Sequence, residues 1–441
     1  MKCIRTYLAL LLAAATTIGP GALAQQRSFD VVARGAYQVR QGERVAAVTA
    51  AGDMLTVLTA QGGRYWVQTT DGKNGWLDQG AVVPVQESGP IYDQLIRRNP
   101  RDPKNYERRA LLWLAAGDTE KLLADYNRAV ELGSQDTTVY LNRGIHLATD
   151  GEYEKAIADY DRAESLGLKE AYLYVNRGVA YFAAGKPDKA IADFNTAMKR
   201  GEKTYSLYLN RAAAYQADGQ EIKAIDDLAE AIGLEPENPA AYHQRGKVWQ
   251  SMEKFDKAIE DFDEAIRRDA KFVAAYSSRG YAWFLQDEPK KAIADFEQVL
   301  RLNPNSAAAY NNLGYNKELL GKYAEALADY DRALKLQPEY DLALQNRAWL
   351  LATCPNDAIR DGKQAFASAS KACQVSNWEH WPDLKTLAAA YAAARDFKHA
   401  VQWQTKVVEM APDPDKPEER RVLALYNKNL PYAEAEDAED P

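Results

Sequence analysis

One spacing governs this chain. From Pro103 onward, similar residues return every 34 positions, in seven consecutive copies that start at Pro103, Thr137, Ala171, Tyr205, Pro239, Val273 and Ala307. The eighth residue of each copy is small: Ala110, Gly144, Gly178, Ala212, Gly246, Gly280 and Gly314. The twentieth is alanine from Ala156 to Ala326, with Leu122 in the first copy. The twenty-fourth is aromatic except at Leu228, and the twenty-seventh is alanine except at Val299. Pro236, Pro304 and Pro338 stand at the thirty-second position of three copies. Small residues at positions 8 and 20 let two antiparallel helices approach closely, and the aromatic at position 24 fills the space beside them. A proline past the second helix ends it and turns the chain into the next copy. One such hairpin cannot bury its apolar faces, but a stack can. The chain therefore grows by adding units, not by enlarging one core.

The pattern weakens at both ends. Tyr92, Leu95 and Pro100 occupy positions 24, 27 and 32 of an absent earlier copy, so residues 90–102 read as an opening helix. Seven regular units fill residues 103–340 and two divergent units fill residues 341–414. A capping helix is expected over 417–428, and the acidic residues 433–441 are expected to be disordered. These features resemble the tetratricopeptide repeat, over about three quarters of the chain. The resemblance implies a right-handed α-solenoid superhelix of about nine repeats, whose first helices line a concave groove for a protein or an extended peptide.

Residues 29–86 have another character. Six short β-prone runs alternate with turn residues, among them Gly62-Gly63 and Asp71-Gly72. Asp-Gly favours a tight hairpin because glycine accepts positive φ. Five or six strands in so short a stretch suggest a small closed β-barrel. The runs Tyr65-Trp66-Val67 and Asp71-Gly72-Lys73-Asn74-Gly75-Trp76-Leu77 resemble the bacterial Src-homology-3 type domain. That family's barrel is an adhesion module without catalysis, often at the cell wall. Trp66 and Trp76 are then either packing residues or an aromatic groove for a peptide or cell-wall fragment.

Residues 1–24 read as a secretory signal peptide. Lys2 and Arg5 precede the apolar run Tyr7 to Ile18, and Ala22-Leu23-Ala24 offers small residues for cleavage before Gln25. Export to the periplasm or cell envelope follows, and no later segment is apolar enough to cross a membrane. An oxidising compartment permits a disulfide between Cys354 and Cys373. Helix geometry argues against it: the second thiol falls about twelve residues into an antiparallel helix, about 18 Å away, whereas a disulfide needs Cα atoms within about 7 Å. Two separately buried thiols are the favoured reading.

Position 6 of the units, on the groove face that the resemblance implies, reads Asn142, Asn176, Asn210, Gln244, Ser278, Asn312 and Asn346. Asparagine is a poor helix former, so its recurrence needs a cause. An amide both donates and accepts. A row of them can hold the backbone of an extended peptide, as asparagine ladders do in some superhelical relatives, or can brace neighbouring helices. Position 9 turns aromatic late in the array, at Tyr281, Tyr315 and Trp349, which reads as a docking stripe or as local packing. Position 7 is arginine except at Leu313, and position 23 is aspartate in all seven regular units. Each arginine is expected to clasp the aspartate of the preceding unit, leaving Asp295 without a partner at Leu313.

Nothing in the sequence carries the pattern of an enzyme. It has no glycine-rich phosphate loop and no nucleophile elbow. The four histidines share no metal-ligand spacing and no Cys-x-x-Cys occurs, so no cofactor is expected. A net charge of -8 without a basic block excludes nucleic acid as the expected partner. The leading expectation is an exported, non-enzymatic binding scaffold. Alternatives are a peptidoglycan-fragment binding protein that uses the barrel, and a regulatory subunit of a separately encoded envelope enzyme.

Overall fold

The structure is a computed structural model that describes residues 29–432. The signal-peptide and acidic-tail segments lie outside the described residues. The chain falls into two compact units, one up to Asp227 and one from Leu228 on.

The first unit opens with seven antiparallel strands: β1 Phe29–Ala33, β2 Gln38–Gln41, β3 Arg44–Val48, β4 Met54–Gln61, β5 Arg64–Thr69, β6 Asn74–Asp78 and β7 Val82–Pro84. Their order across the sheet is β3-β2-β6-β5-β4-β1-β7. Among the described residues no ladder joins β3 to β7, so the hydrogen-bonded sheet is not closed edge to edge. Val31, Val39, Leu55, Val57, Val67 and Leu77 build its core. The strand absent from the sequence reading is β2, which buries Val39 alone and exposes Gln38, Arg40 and Gln41. It crosses β6 at Gly75, where a Cβ would sit 2.8 Å from the Arg40 carbonyl oxygen. That closeness requires glycine.

Helix α1, Gly89–Arg98, follows the sheet and shares a core with it. Tyr92 is fully buried among Val32, Val83 and Val85, with Leu95 and Met54 against the same cluster. Its hydroxyl donates to the Gly52 carbonyl at 3.3 Å, and Arg108 reaches Asp53 at 3.0 Å.

Helical hairpins come next: α2 Pro103–Ala116 with α3 Thr119–Glu131, α4 Thr137–Thr149 with α5 Tyr153–Ser165, and α6 Ala171–Ala183 with α7 Pro187–Lys199. Helix α8 is Tyr205–Ala217, and α9, Glu221–Leu234, spans the division between the units. The second unit continues with α10 Pro239–Ser251, α11 Phe255–Arg268, α12 Val273–Leu285, α13 Pro289–Leu302, α14 Ala307–Leu319 and α15 Tyr323–Leu336. It ends with α16 Asp341–Thr353, α17 Gly362–Val375, α18 Trp381–Ala393, α19 Phe397–Met410 and α20 Lys416–Asn427. Caps start many of them. Asp102, Asp136 and Asn238 each accept a backbone N–H of the first turn, and prolines occupy first-turn positions where no intrahelical donor is lost.

The hairpins close as the small residues dictate. Tyr126, Tyr160, Phe194, Phe262, Phe296 and Tyr330 are all buried. A Cβ on Gly178 would stand 2.6 Å from the Phe194 ring, so glycine is what lets α6 and α7 meet with the ring between them. The fold class expected from sequence, an all-β domain before a helical repeat array, is the one observed.

The disulfide is not formed. Cys354 lies with Ala326, Tyr330 and Leu350, whereas Cys373 lies in a separate cluster with Ala369, Leu384 and Val407. The two thiols belong to one hairpin, Cys354 packing toward the preceding hairpin and Cys373 toward the following one.

Candidate repeat-face site

The arginines at position 7 organise each hairpin. Arg109, Arg143, Arg177, Arg211, Arg245 and Arg279 each hold a position-23 aspartate through two hydrogen bonds of 2.6 to 2.9 Å. The partner belongs to the same hairpin, sixteen residues on, and not to the preceding unit as expected. The third guanidinium nitrogen reaches back instead, from Arg143 to Asn127, from Arg177 to Asp161 and Glu164, and from Arg211 to Asn195. Each of these arginines therefore ties its own two helices together, and Arg143, Arg177 and Arg211 also fix the unit before them. The sequence spacing alone did not separate those two partners.

The exception moves with this correction. Asp295 is held by Arg279, and the aspartate opposite Leu313 is Asp329. Lys317, one turn beyond Leu313, supplies the charge at 2.6 Å, with Arg332 at 2.8 Å. Burial raises the carboxyl pKa of Asp193, Asp261 and Asp295 while the partner arginine pulls it down. Desolvation of this size means that the pairs set geometry more than they add net stability.

The position-6 amides divide into two behaviours. In the second unit Ser278 and Asn346 brace the preceding hairpin. Asn346 donates to Asn311 of the preceding hairpin at 3.0 Å, and Ser278 shares a 3.0 Å hydrogen bond with His243 in the same relation. Asn312 accepts from Asn311 at 3.3 Å. These links need a polar residue at position 5, and His243 and Asn311 provide it. In the first unit, position 5 is Glu107, which accepts from Ser134, and then Leu141, Val175 and Leu209, which offer Asn176 and Asn210 no such brace. There Asn142 donates to the Tyr126 hydroxyl at 3.2 Å, and Asn176 is half-buried. Asn210 is 5% exposed, and its side-chain oxygen accepts no hydrogen bond. Gln244 is half-buried.

The position-9 aromatics are partly joined. Tyr281 and Tyr315 are exposed, and Phe284 lies between them at ring-centre distances of 5.8 and 5.5 Å. Trp349 is apart from this group, half-buried beside Tyr432 and Lys385. On the sheet, Trp66 and Trp76 are cross-strand partners meeting edge to face at 5.3 Å, with the Arg64 guanidinium 5.7 Å above Trp76.

Burial against Phe262 and Phe272, with Lys247 nearby, lowers the pKa of His243 to about 4 from 6.5. The folded protein keeps this ring neutral while the unfolded chain takes up a proton. Stability is therefore unaffected above pH 6.5 and falls as pH drops from about 6.5 to about 4. The expected loss is about 2–3 kcal/mol, at about 1.4 kcal/mol per pKa unit. His243→Asn, which copies Asn311 of a later hairpin, is expected to remove this component. Denaturant unfolding at pH 7 and pH 4.5 tests it, and equal acid losses in both proteins would contradict it.

No helix among the described residues is long and apolar enough to cross a membrane. No curated protein matches the chain. Among solved structures, the C-terminal part of a tetratricopeptide-repeat protein from Cytophaga hutchinsonii is 20% identical, covers 54% of this chain and 95% of its own, and superposes with a TM-score of 0.47. A tetratricopeptide-repeat protein from Parabacteroides merdae is 18% identical over 59% of this chain and 98% of its own, with a TM-score of 0.44. YrrB, described as a tetratricopeptide-repeat protein with an unusual peptide-binding site, is 22% identical over 42% and 95%, with a TM-score of 0.36. The family description "Tetratricopeptide repeat" matches residues 123–171, 141–203, 175–240, 243–307 and 286–341. That match runs through hairpins which the structure draws at the same 34-residue spacing, and it makes the chain a tetratricopeptide-repeat protein.

Proposed function

We propose that this protein is a non-enzymatic scaffold of the periplasm or cell envelope that holds an extended peptide, or an extended segment of a partner protein, on its repeat face. The carrying observation is the buried amide oxygen of Asn210, which accepts no hydrogen bond and stands at the same repeat position as the half-buried Asn142 and Asn176. A buried acceptor left unpaired costs about 1–3 kcal/mol, and a backbone N–H of a bound strand would recover that cost. Asn346 is engaged by Asn311 of the preceding hairpin and Asn312 by Asn311 of its own helix, so this reading puts the ladder in the first unit. Tyr281, Phe284 and Tyr315 offer a separate apolar contact in the second unit. The export reading rests on Lys2, Arg5 and the apolar run before Gln25.

The test is a pull-down from envelope extract with the mature protein and an Asn142→Ala, Asn176→Ala, Asn210→Ala variant, both checked for unchanged helicity. A partner retained by the first and lost, at least tenfold, by the second is the expected result. Equal capture by both retires the ladder.

A second reading has its own observation. The Trp66–Trp76 pair, with Arg64 beside it, is an aromatic ledge on a domain that resembles the bacterial Src-homology-3 type. It fits the stacking of a sugar or peptide from the cell wall. Binding of purified peptidoglycan fragments that disappears in the full-length Trp66→Ala, Trp76→Ala variant would favour it over the ladder.

A further inference from the structure

The two divergent units carry a charge arrangement that the repeat does not need. Position 3 of the second to eighth units is Val139, Leu173, Leu207, Ala241, Ala275, Ala309 and Ala343, all of them buried hydrocarbon. In the ninth unit the same position is Asp383, and it is fully buried too. Neither of its carboxylate oxygens has a hydrogen-bond partner. Asp341, the first residue of α16, approaches it from the neighbouring hairpin and also has a buried oxygen, Oδ1, without a partner. His380 is the N-cap residue of α18, and its Nδ1 stands 3.1 Å from Asp383 Oδ2, not aligned as a hydrogen bond. One ligand atom from each of the three lies within 4.8 Å of the others.

Carboxylate oxygens buried without donors, both of Asp383 and one of Asp341, are costly unless a positive charge joins them. We infer that Asp341, His380 and Asp383 form a binding site for one divalent transition-metal ion of the zinc(II) class, which clips α16 to α18. The donor set decides the class. One imidazole nitrogen with two carboxylates suits a borderline ion, whereas calcium and magnesium prefer all-oxygen shells. Zinc bonds of about 2.1 Å place tetrahedral donors about 3.4 Å apart. The donors must therefore draw in by up to about 1.4 Å, which the half-exposed His380 ring at a helix start can supply. Its open side leaves a fourth position for water. The role is structural: the ion replaces the hydrocarbon contact that position 3 makes in the other units.

The experiment uses the full, tag-free chain, stripped of metal with a chelator and dialysed. Titration calorimetry with zinc(II), manganese(II), magnesium and calcium is paired with thermal unfolding. One zinc per chain is expected, at least tenfold tighter than magnesium or calcium, together with a raised unfolding midpoint. His380→Ala, at an exposed side chain that the fold tolerates, is expected to weaken zinc binding more than about 10-fold, since it removes a ligand and not merely a supporting contact. Asp383→Leu, which restores the residue type of Leu173 and Leu207, is expected to abolish zinc binding and to raise the midpoint of the metal-free protein. Absence of zinc binding to the stripped wild-type chain would overturn the inference. So would equal zinc affinity in both variants, or magnesium or calcium binding as tightly as zinc.

Discussion

Replacing Arg177 by leucine is expected to destabilise the hairpin of α6 and α7 by about 3–5 kcal/mol, the cost of leaving a buried ion-pair partner behind. Arg177 and Asp193 are each about 10% exposed at the side chain, so water does not take over the lost hydrogen bonds. Asp161 and Glu164 lose the same guanidinium and then repel each other. The measurement is native-state hydrogen exchange, because a stack opens locally before it unfolds. Amides of residues 171–199 should lose protection by the stated amount, and those of distant hairpins much less. The seventh unit predicts a repair. There Leu313 replaces the arginine and Lys317, at position 11, reaches the aspartate. Tyr181 occupies position 11 of the third unit, so Arg177→Leu with Tyr181→Lys should recover part of the loss. No recovery, or no loss in the single variant, would mean that the clasp is incidental.

Truncating Phe194 to alanine is expected to cost about 3–5 kcal/mol, the range for a fully buried aromatic. Its ring is the contact surface for Gly178, and a glycine on the facing helix cannot move a side chain into the space. The cavity therefore stays open. Gly178→Ala against the intact ring overpacks the same spot and should cost about 1–3 kcal/mol. In the double variant the added methyl partly fills the cavity, so the two losses should not add. Strict additivity in denaturant unfolding would show that the ring and the glycine are not one packing unit.

The repeat hairpins were readable because each recurrent residue has a single physical task. A glycine beside an aromatic at a fixed offset specifies a helix contact without a structure. The Arg–Asp clasp was legible as chemistry but not as connectivity, since a 34-residue period gives each arginine two aspartates at comparable offsets. Strand β2 was missed because one inward Val39 among Gln38, Arg40 and Gln41 carries no alternation to detect. The amide row looked uniform in sequence. Its division depends on position 5, where His243 and Asn311 give Ser278 and Asn346 of the following hairpins a polar partner. The Asp341, His380 and Asp383 cluster left a weaker signal, an aspartate at a position filled by hydrocarbon elsewhere, noticeable only once the ninth unit is set in register.

The seam between the sheet and α1 sets how this array can change length. A terminal hairpin normally leaves an apolar face uncovered and needs a polar cap. Here Tyr92, Leu95 and the valines of β1 and β7 close that face with a folded domain. A unit duplicated at the seam itself would have to rebuild this contact from repeat residues. A unit duplicated downstream meets only its own kind. The stack can thus lengthen or shorten by whole 34-residue steps in its interior without disturbing the core that the sheet shares with α1.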